Sequence, residues 1–316
     1  MSTGNNDFEN DQIRSDTGVA NKPSGSHSSL HALLPALALT TVTAVWGSTF
    51  FLIKGLVETI PPIDFLGIRF LIAGVLIGSL RFRSLLKASA AIWGKGAVLG
   101  LIYASAQIFQ TMGLQHTHAS VSGFITGMYV VLTPVVLLLL FREKISALTW
   151  GTIIVATAGL MILSLNGFAL GYGEVITLIG SLLYALHIVM LGHWAPDSDV
   201  MLLGAIQVMT VGVICFIAST PGGIELPHDP IQWMQMLYMA IIAGLLAILL
   251  QTWAQARISA TSAAIIMTTE PLFAAGFAVA LGGEHITWRL LVGGGLILAA
   301  MFGTELLPER VKSGNR

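Results

Sequence analysis

Ten long apolar runs constrain this chain more than any other feature. They cover residues 33–55, 63–80, 92–113, 119–141, 147–165, 174–193, 199–219, 233–255, 260–282 and 287–306. A helix needs about 20 mostly apolar residues to cross about 30 Å of hydrocarbon. The runs lack strict period-two alternation, which selects helices over barrel strands, the other architecture that satisfies a backbone in lipid. The linkers are mostly short and polar. Several hold helix breakers: Pro61-Pro62, Asn166-Gly167, and Pro221, Pro227 and Pro230. The expected fold is an all-α membrane protein with ten transmembrane helices.

Composition closes off the alternatives. Of 316 residues, 10% are charged and 55% hydrophobic, and mean hydropathy is +0.82. A soluble domain carries about 25% charge, so this chain cannot cover a water-exposed surface. A soluble enzyme, a nucleic-acid binder and a secreted domain are excluded on that ground. Residues 1–32 differ in kind: rich in Gly, Asn, Asp and Ser, they read as a disordered cytoplasmic tail, and residues 307–316 as a second. The first tail is no signal peptide, because its acids outnumber Arg14 and Lys22 and no short apolar core with a cleavage site follows. The single cysteine, Cys215, rules out an intrachain disulfide.

Basic residues give the orientation. If the tails and even-numbered linkers share one side, that side holds Arg14, Lys22, Arg81, Arg83, Lys87, Lys95, Arg142, Lys144, Arg257, Arg310, Lys312 and Arg316. The other side holds Lys54 and Arg289, and Arg69 lies inside a run. Positive charge is retained in the cytoplasm during insertion. Both termini are therefore expected to be cytoplasmic, which requires an even number of spans.

The chain also repeats itself. At an offset of 138, Trp46-Gly47 matches Tyr184-Ala185, Arg69 falls on Gln207 and Gly74 on Gly212. At an offset of 141, Gln110-Thr111 falls on Gln251-Thr252, Ala119-Ser120 on Ala260-Thr261, and Glu143 on Glu284. Two halves follow, residues 33–166 and 171–306. With five spans each, an odd number, the second half enters from the opposite face, so the expected repeats are inverted about an axis in the membrane plane. Such a pair offers two near-equivalent states, one open to each side, which favours alternating-access transport.

Particular stretches carry a family resemblance. Trp46-Gly47-Ser48-Thr49-Phe50-Phe51, Ile68-Arg69-Phe70, Glu270-Pro271-Leu272-Phe273-Ala274-Ala275 and Gly283-Glu284 resemble the EamA family of the drug/metabolite transporter superfamily. The resemblance covers residues 33–306. It implies a ten-helix inner-membrane carrier that exports amino acids or related small metabolites. The chain departs from the pattern in its fourth run, where Thr133-Pro134 sits about four residues nearer Glu143 than Glu270-Pro271 sits to Glu284. Residue roles therefore do not copy from one half to the other.

Charge inside lipid is costly, about 2.5–3.5 kcal/mol per residue on insertion scales. Two charges fall well inside runs. Glu270 lies ten residues into the ninth, near the midplane, followed by Pro271, which is expected to kink the helix and free a carbonyl. Such a carboxyl could exchange a proton during transport, or serve as neutral interhelical glue. Arg69 would recognise a substrate carboxylate, or pair with Asp64 or Glu270, or snorkel outward. Asp64 reads as a solvated helix terminus.

Gln107, Gln110, Gln207, Gln251 and Thr252 form a repeat-matched polar set that either lines a cavity or joins helices. Trp46, Tyr103, Tyr129 and Tyr184 lie too deep for interfacial belts and could wall a cavity or pack. His187 could titrate, or serve as hydrogen-bonded structure. No metal or cofactor is expected: His116-Thr117-His118 lacks further ligands, and Gly293-Gly294-Gly295 lacks the Lys-Ser/Thr of a phosphate loop. Gly295, Ala299 and Gly303 suggest internal packing, with a homodimer face as the alternative.

The expected function is a secondary transporter of a small-molecule substrate, with protons as a candidate coupling ion and membrane lipids as surroundings. The alternatives are an intramembrane enzyme, for which Glu270 lacks a second deep carboxylate, and a scaffold or lipid-handling protein with a cleft open to the bilayer.

Overall fold

The computed structural model describes residues 27–142, 144, 146–166, 169–195, 198–255, 257 and 266–306. Helix is the dominant structure, as the apolar runs require. Helix α1 spans His27–Leu56, α2 Pro62–Leu86, α3 Ala90–Gln115, α4 Ala119–Gly127, α5 Tyr129–Phe141 and α6 Ala147–Ser164. A two-residue ladder follows, β1 (Leu165–Asn166) against β2 (Ala169–Leu170), antiparallel with Leu165 opposite Leu170. Helix α7 is Tyr172–Trp194, α8 Val200–Ser219 and α9 Pro230–Leu237. A π-helical segment, Tyr238–Leu246, leads into α10, Ala247–Gln255. Glu270–Ala280 forms α11 and Trp288–Leu306 forms α12.

Among the described residues, seven helical segments are long and apolar enough to cross a membrane: 34–56, 62–86, 90–115, 119–141, 172–194, 200–222 and 230–251. Three shorter apolar helices, 147–163, 270–280 and 288–303, accompany them. The chain is a multi-pass membrane protein.

Helix starts follow local chemistry. Asp199 accepts from the Leu202 amide at 3.0 Å ahead of α8. Asp229 accepts from the Ile231 and Gln232 amides at 2.8 and 2.9 Å, with Pro230 opening α9. Arg142 ends α5 in the left-handed region, φ 57°.

Three apolar runs are not simple helices. The fourth breaks at Met128, whose amide bonds to the Ile125 carbonyl three residues back, at 3.1 Å. In the ninth, Thr269 bonds likewise to Ile266 at 3.0 Å, and α11 starts only at Glu270. The two breaks stand 141 residues apart, the repeat offset found in the sequence. Pro271 thus begins a helix rather than kinking one: it occupies the first turn, where a missing N–H costs nothing. The eighth run contains the π segment.

Helix pairing follows the repeat. By run number, the second packs on the seventh (α2, α8), the third on the sixth (α3, α7), the fifth on the tenth (α6, α12) and the fourth on the ninth (α4, α11). The first packs on the eighth and ninth, and the fourth also on the sixth. Exchanging the halves maps each of these pairs either onto itself or onto another pair in the set.

One core cluster joins α4–α6 to α12 through Phe124, Ile125, Leu160, Ile297 and Met301; a second joins α1–α3 to the π segment through Phe50, Phe65, Phe70 and Met239. Gly295 and Ala299 lie on the exposed side of α12, so these two members of the small-residue stripe are not internal packing, while Gly303 is half-buried.

The odd-numbered linkers gather at one end. Lys54 donates to the Leu114 and Gln115 carbonyls at 3.1 and 2.9 Å, and Gln115 to that of Val57 at 3.2 Å. Gln232 donates to Thr59 at 3.2 Å, and His116 packs edge-on to Tyr172 at 5.2 Å. At the other end Phe141 meets His193, ring centroids 5.2 Å apart.

Candidate functional site

The breaks in the fourth and ninth runs bring Tyr129 and Glu270 together. Each is the first residue after its unwound turn, and α4 packs on α11. The Tyr129 hydroxyl donates to Glu270 Oε2 at 3.4 Å, and both residues are buried. Their separation in sequence is 141, so repeat-equivalent residues meet each other. Glu270 also stands at the N-terminus of α11, where the helix dipole favours a carboxylate.

Close approach of backbones makes this possible. A Cβ on Gly47 would lie 2.5 Å from Phe273 Cβ and 2.8 Å from Ala274 N, and one on Gly123 2.5 Å from Ala274 Cβ. Only glycine admits α1 and α4 so near the first turns of α11.

Glutamines brace both breaks in the same register. Gln110 Nε2 donates to Thr126 Oγ1 at 3.1 Å, and its Oε1 accepts from the Tyr184 hydroxyl at 2.7 Å. In the second half, Gln251 Nε2 points at Met267 Sδ at 3.9 Å, both partners being displaced by 141. Ser181 donates to the Thr126 carbonyl at 3.0 Å, and the Thr43 and Thr269 hydroxyls lie 3.2 Å apart. The side chain of Thr252 and the pair Ala260-Thr261, like Glu143, lie outside the described residues.

Arg69 is 3% exposed. Its Nε donates to the Met239 carbonyl in the π segment at 3.2 Å, and its guanidinium lies over the Phe70 ring at 4.8 Å. Among the described residues that carbonyl is its one hydrogen-bond acceptor, and no carboxylate comes within ion-pair distance. The alternatives of pairing with Asp64 or Glu270 and of snorkelling outward are thereby removed. Asp64 is itself buried, not a solvated terminus: its Oδ2 accepts from the Glu225 amide at 3.0 Å. Trp46 Nε1 also reaches the π segment, donating to the Ala243 carbonyl at 2.9 Å.

A second group adjoins the first. Tyr103 packs edge-on to Tyr184 at 5.7 Å and to Phe70 at 6.2 Å, and lies 5.1 Å from the His187 ring. Gln107 Nε2 donates to the Tyr103 hydroxyl at 2.9 Å, while its Oε1, though buried, has no donor among the described residues. His187 Nε2 and Gln207 Oε1 are 2.7 Å apart. Gln207 Nε2 donates to the Leu203 carbonyl at 3.3 Å, so its oxygen accepts and His187 carries the proton on Nε2. Arg69 and Glu270 both lie within electrostatic range of Tyr103 and Tyr184. Residues of α2, α3, α5, α7 and α11 therefore share one polar region.

Tyr103 and His187 are central to this region, although the sequence left Tyr103 open between cavity wall and packing and His187 between titration and hydrogen-bonded structure. Their signal was spacing: Tyr103 lies one turn before Gln107, and His187 one turn after Tyr184.

The EamA-like transporter family matches residues 33–165 and again 171–305. An uncharacterized transporter of Archaeoglobus fulgidus is 30% identical over 290 residues, 90% of each chain. The uncharacterized inner membrane transporter YedA of Escherichia coli K12 is 29% identical over 296 residues, 88% of this chain and 94% of that one. A solved structure superposes with a TM-score of 0.63 over 90% of this chain and 99% of the other, at 15% identity, a likeness of fold alone. With the family pattern present twice and spanning nearly all of the apolar sequence, the chain belongs to the EamA-like transporter family.

Proposed function

We propose that this protein is a secondary transporter that moves small polar metabolites, amino acids or related compounds, out of the cell by alternating access. Ten spans form two inverted halves, residues 33–166 and 171–306. Both termini are cytoplasmic, in an inner membrane like that of the Escherichia coli relative. The observation that carries this reading is the Tyr129–Glu270 contact. Equivalent residues of two repeats touch only near the axis that relates them, so the pair marks the pivot between halves. The gathering of odd-numbered linkers at one end supports the topology, and the basic residues assign that end to the outside.

In this reading Arg69 holds a substrate carboxylate, because its guanidinium is charged at any working pH and has no acid partner among the described residues. The orphan Gln107 Oε1 takes a donor from the substrate, since a buried acceptor without one costs about 1–3 kcal/mol. Trp46, Tyr129 and Tyr184 wall the site; Gln110, Gln207 and Gln251 hold its helices in place. Glu270 exchanges a proton and so couples transport to the pH gradient.

Uptake into proteoliposomes tests this. A pH gradient should drive amino-acid uptake by the parent protein, and Glu270→Gln should abolish the driven component while leaving folding intact. Driven uptake that survives the substitution removes the proton role.

A further inference from the structure

Three carboxylates at the odd-linker end each accept from the opposite half. Asp64 accepts from the Glu225 amide at 3.0 Å, and Glu174 Oε1 from the Thr117 hydroxyl at 2.8 Å. Glu284, in the linker before α12, does most. Its Oε1 accepts from the Ala119 amide at 2.7 Å, and its Oε2 from the Ser120 amide at 3.3 Å and the Ser120 hydroxyl. His118 Nδ1 lies 3.9 Å away.

This arrangement differs from an ordinary helix cap. The caps of α8 and α9 come from Asp199 and Asp229, the residues immediately before them. The residue before α4, His118, makes no side-chain cap. The N-terminus of α4 instead takes its acceptor from 165 residues away, in the other half. A carboxylate on free amides at a helix N-terminus makes charge-assisted bonds reinforced by the dipole. These bonds exist only while the two halves are together at this end. When the halves part, water can take over the same amides, so the contact is reversible. The helix so held ends at the Met128 break and delivers Tyr129 to Glu270.

We propose that Glu284 is a latch, a cap that one half lends to the other, which holds the outer end shut and must release Ala119 and Ser120 before the site opens outward. Asp64 and Glu174 are its companions. The proposal rests on the alternating-access reading, and its test uses a readout that needs no substrate.

Spin labels at Glu58→Cys and Ile286→Cys, in a Cys215→Ala background, report the distance across the outer end. In the parent protein the short, closed distance should dominate. Glu284→Ala should raise the ratio of long to short distances about tenfold, the scale for losing hydrogen bonds to a charged group. Glu284→Gln, whose amide oxygen keeps one acceptor, should fall between. Ser120→Ala should shift the ratio less, in the same direction, and carries the test if Glu284→Ala does not fold. Asp199→Ala removes a self-contained cap and should leave the distances unchanged. Parent-like distances in folded Glu284→Ala, or an equal shift in Asp199→Ala, overturn the latch. Shifted distances in a protein that moves no solute across liposomes overturn the transporter reading and leave the latch standing.

Discussion

At the scale of single residues, the centre is asymmetric where its backbone repeats. The two positions after the helix breaks carry tyrosine in one half and glutamate in the other. Two glutamates meeting there would repel in a low-dielectric site; a phenol instead donates to the single acid. Arg69 and Gln207 likewise share a register and differ in chemistry: a stacked guanidinium in one half, an amide holding His187 in the other. Arg69→Lys keeps the charge but loses the Nε bond to Met239 and the planar stack on Phe70. The expected outcome is a rise in uptake KM of about tenfold for carboxylate substrates, equivalent to about 1.4 kcal/mol. Initial-rate uptake measures it, and an unchanged KM would exclude a substrate contact by this side chain.

Irregular elements face the site and regular ones surround it. The π segment turns the eighth span so that its carbonyls meet Arg69 and Trp46. At its end Ala247 still bonds five residues back, to Ile242. Where α pitch resumes, one carbonyl loses its helical donor, and the Trp46 indole supplies another next to that point, at Ala243. Trp46→Phe keeps the ring and removes the donor. It should destabilise the protein by about 1 kcal/mol and speed amide exchange around residues 243–248, measured by melting in detergent and by hydrogen exchange. The apolar runs and the helix breakers in the linkers were legible in the sequence. The π segment and the Met128 break were not, because each depends on side chains from distant helices that satisfy backbone groups the local sequence leaves open.

For the whole molecule, the most extensive helix pairings map onto themselves or onto one another when the halves are exchanged. If the linker ends are assigned as the charge pattern indicates, Lys87 is cytoplasmic and His228 lies outside. In a Cys215→Ala background, an impermeant thiol reagent added to intact cells should label His228→Cys and spare Lys87→Cys until the cells are opened. The reverse pattern would invert the topology.

Read along the chain alone, the residues establish that it lives in lipid, how its apolar segments are spaced, and that its second half repeats the first. Those properties follow from transfer free energies and register, which sum along the chain. The sequence also marked Glu270 and Arg69, because charge in hydrocarbon is costly wherever the neighbours lie. It took the folded helices to show that Tyr129 meets Glu270, that Arg69 has a carbonyl and two rings beside it, and that Glu284 caps a helix in the other half. Those contacts depend on which faces of different helices converge, and packing through Gly47 and Gly123 sets that in three dimensions.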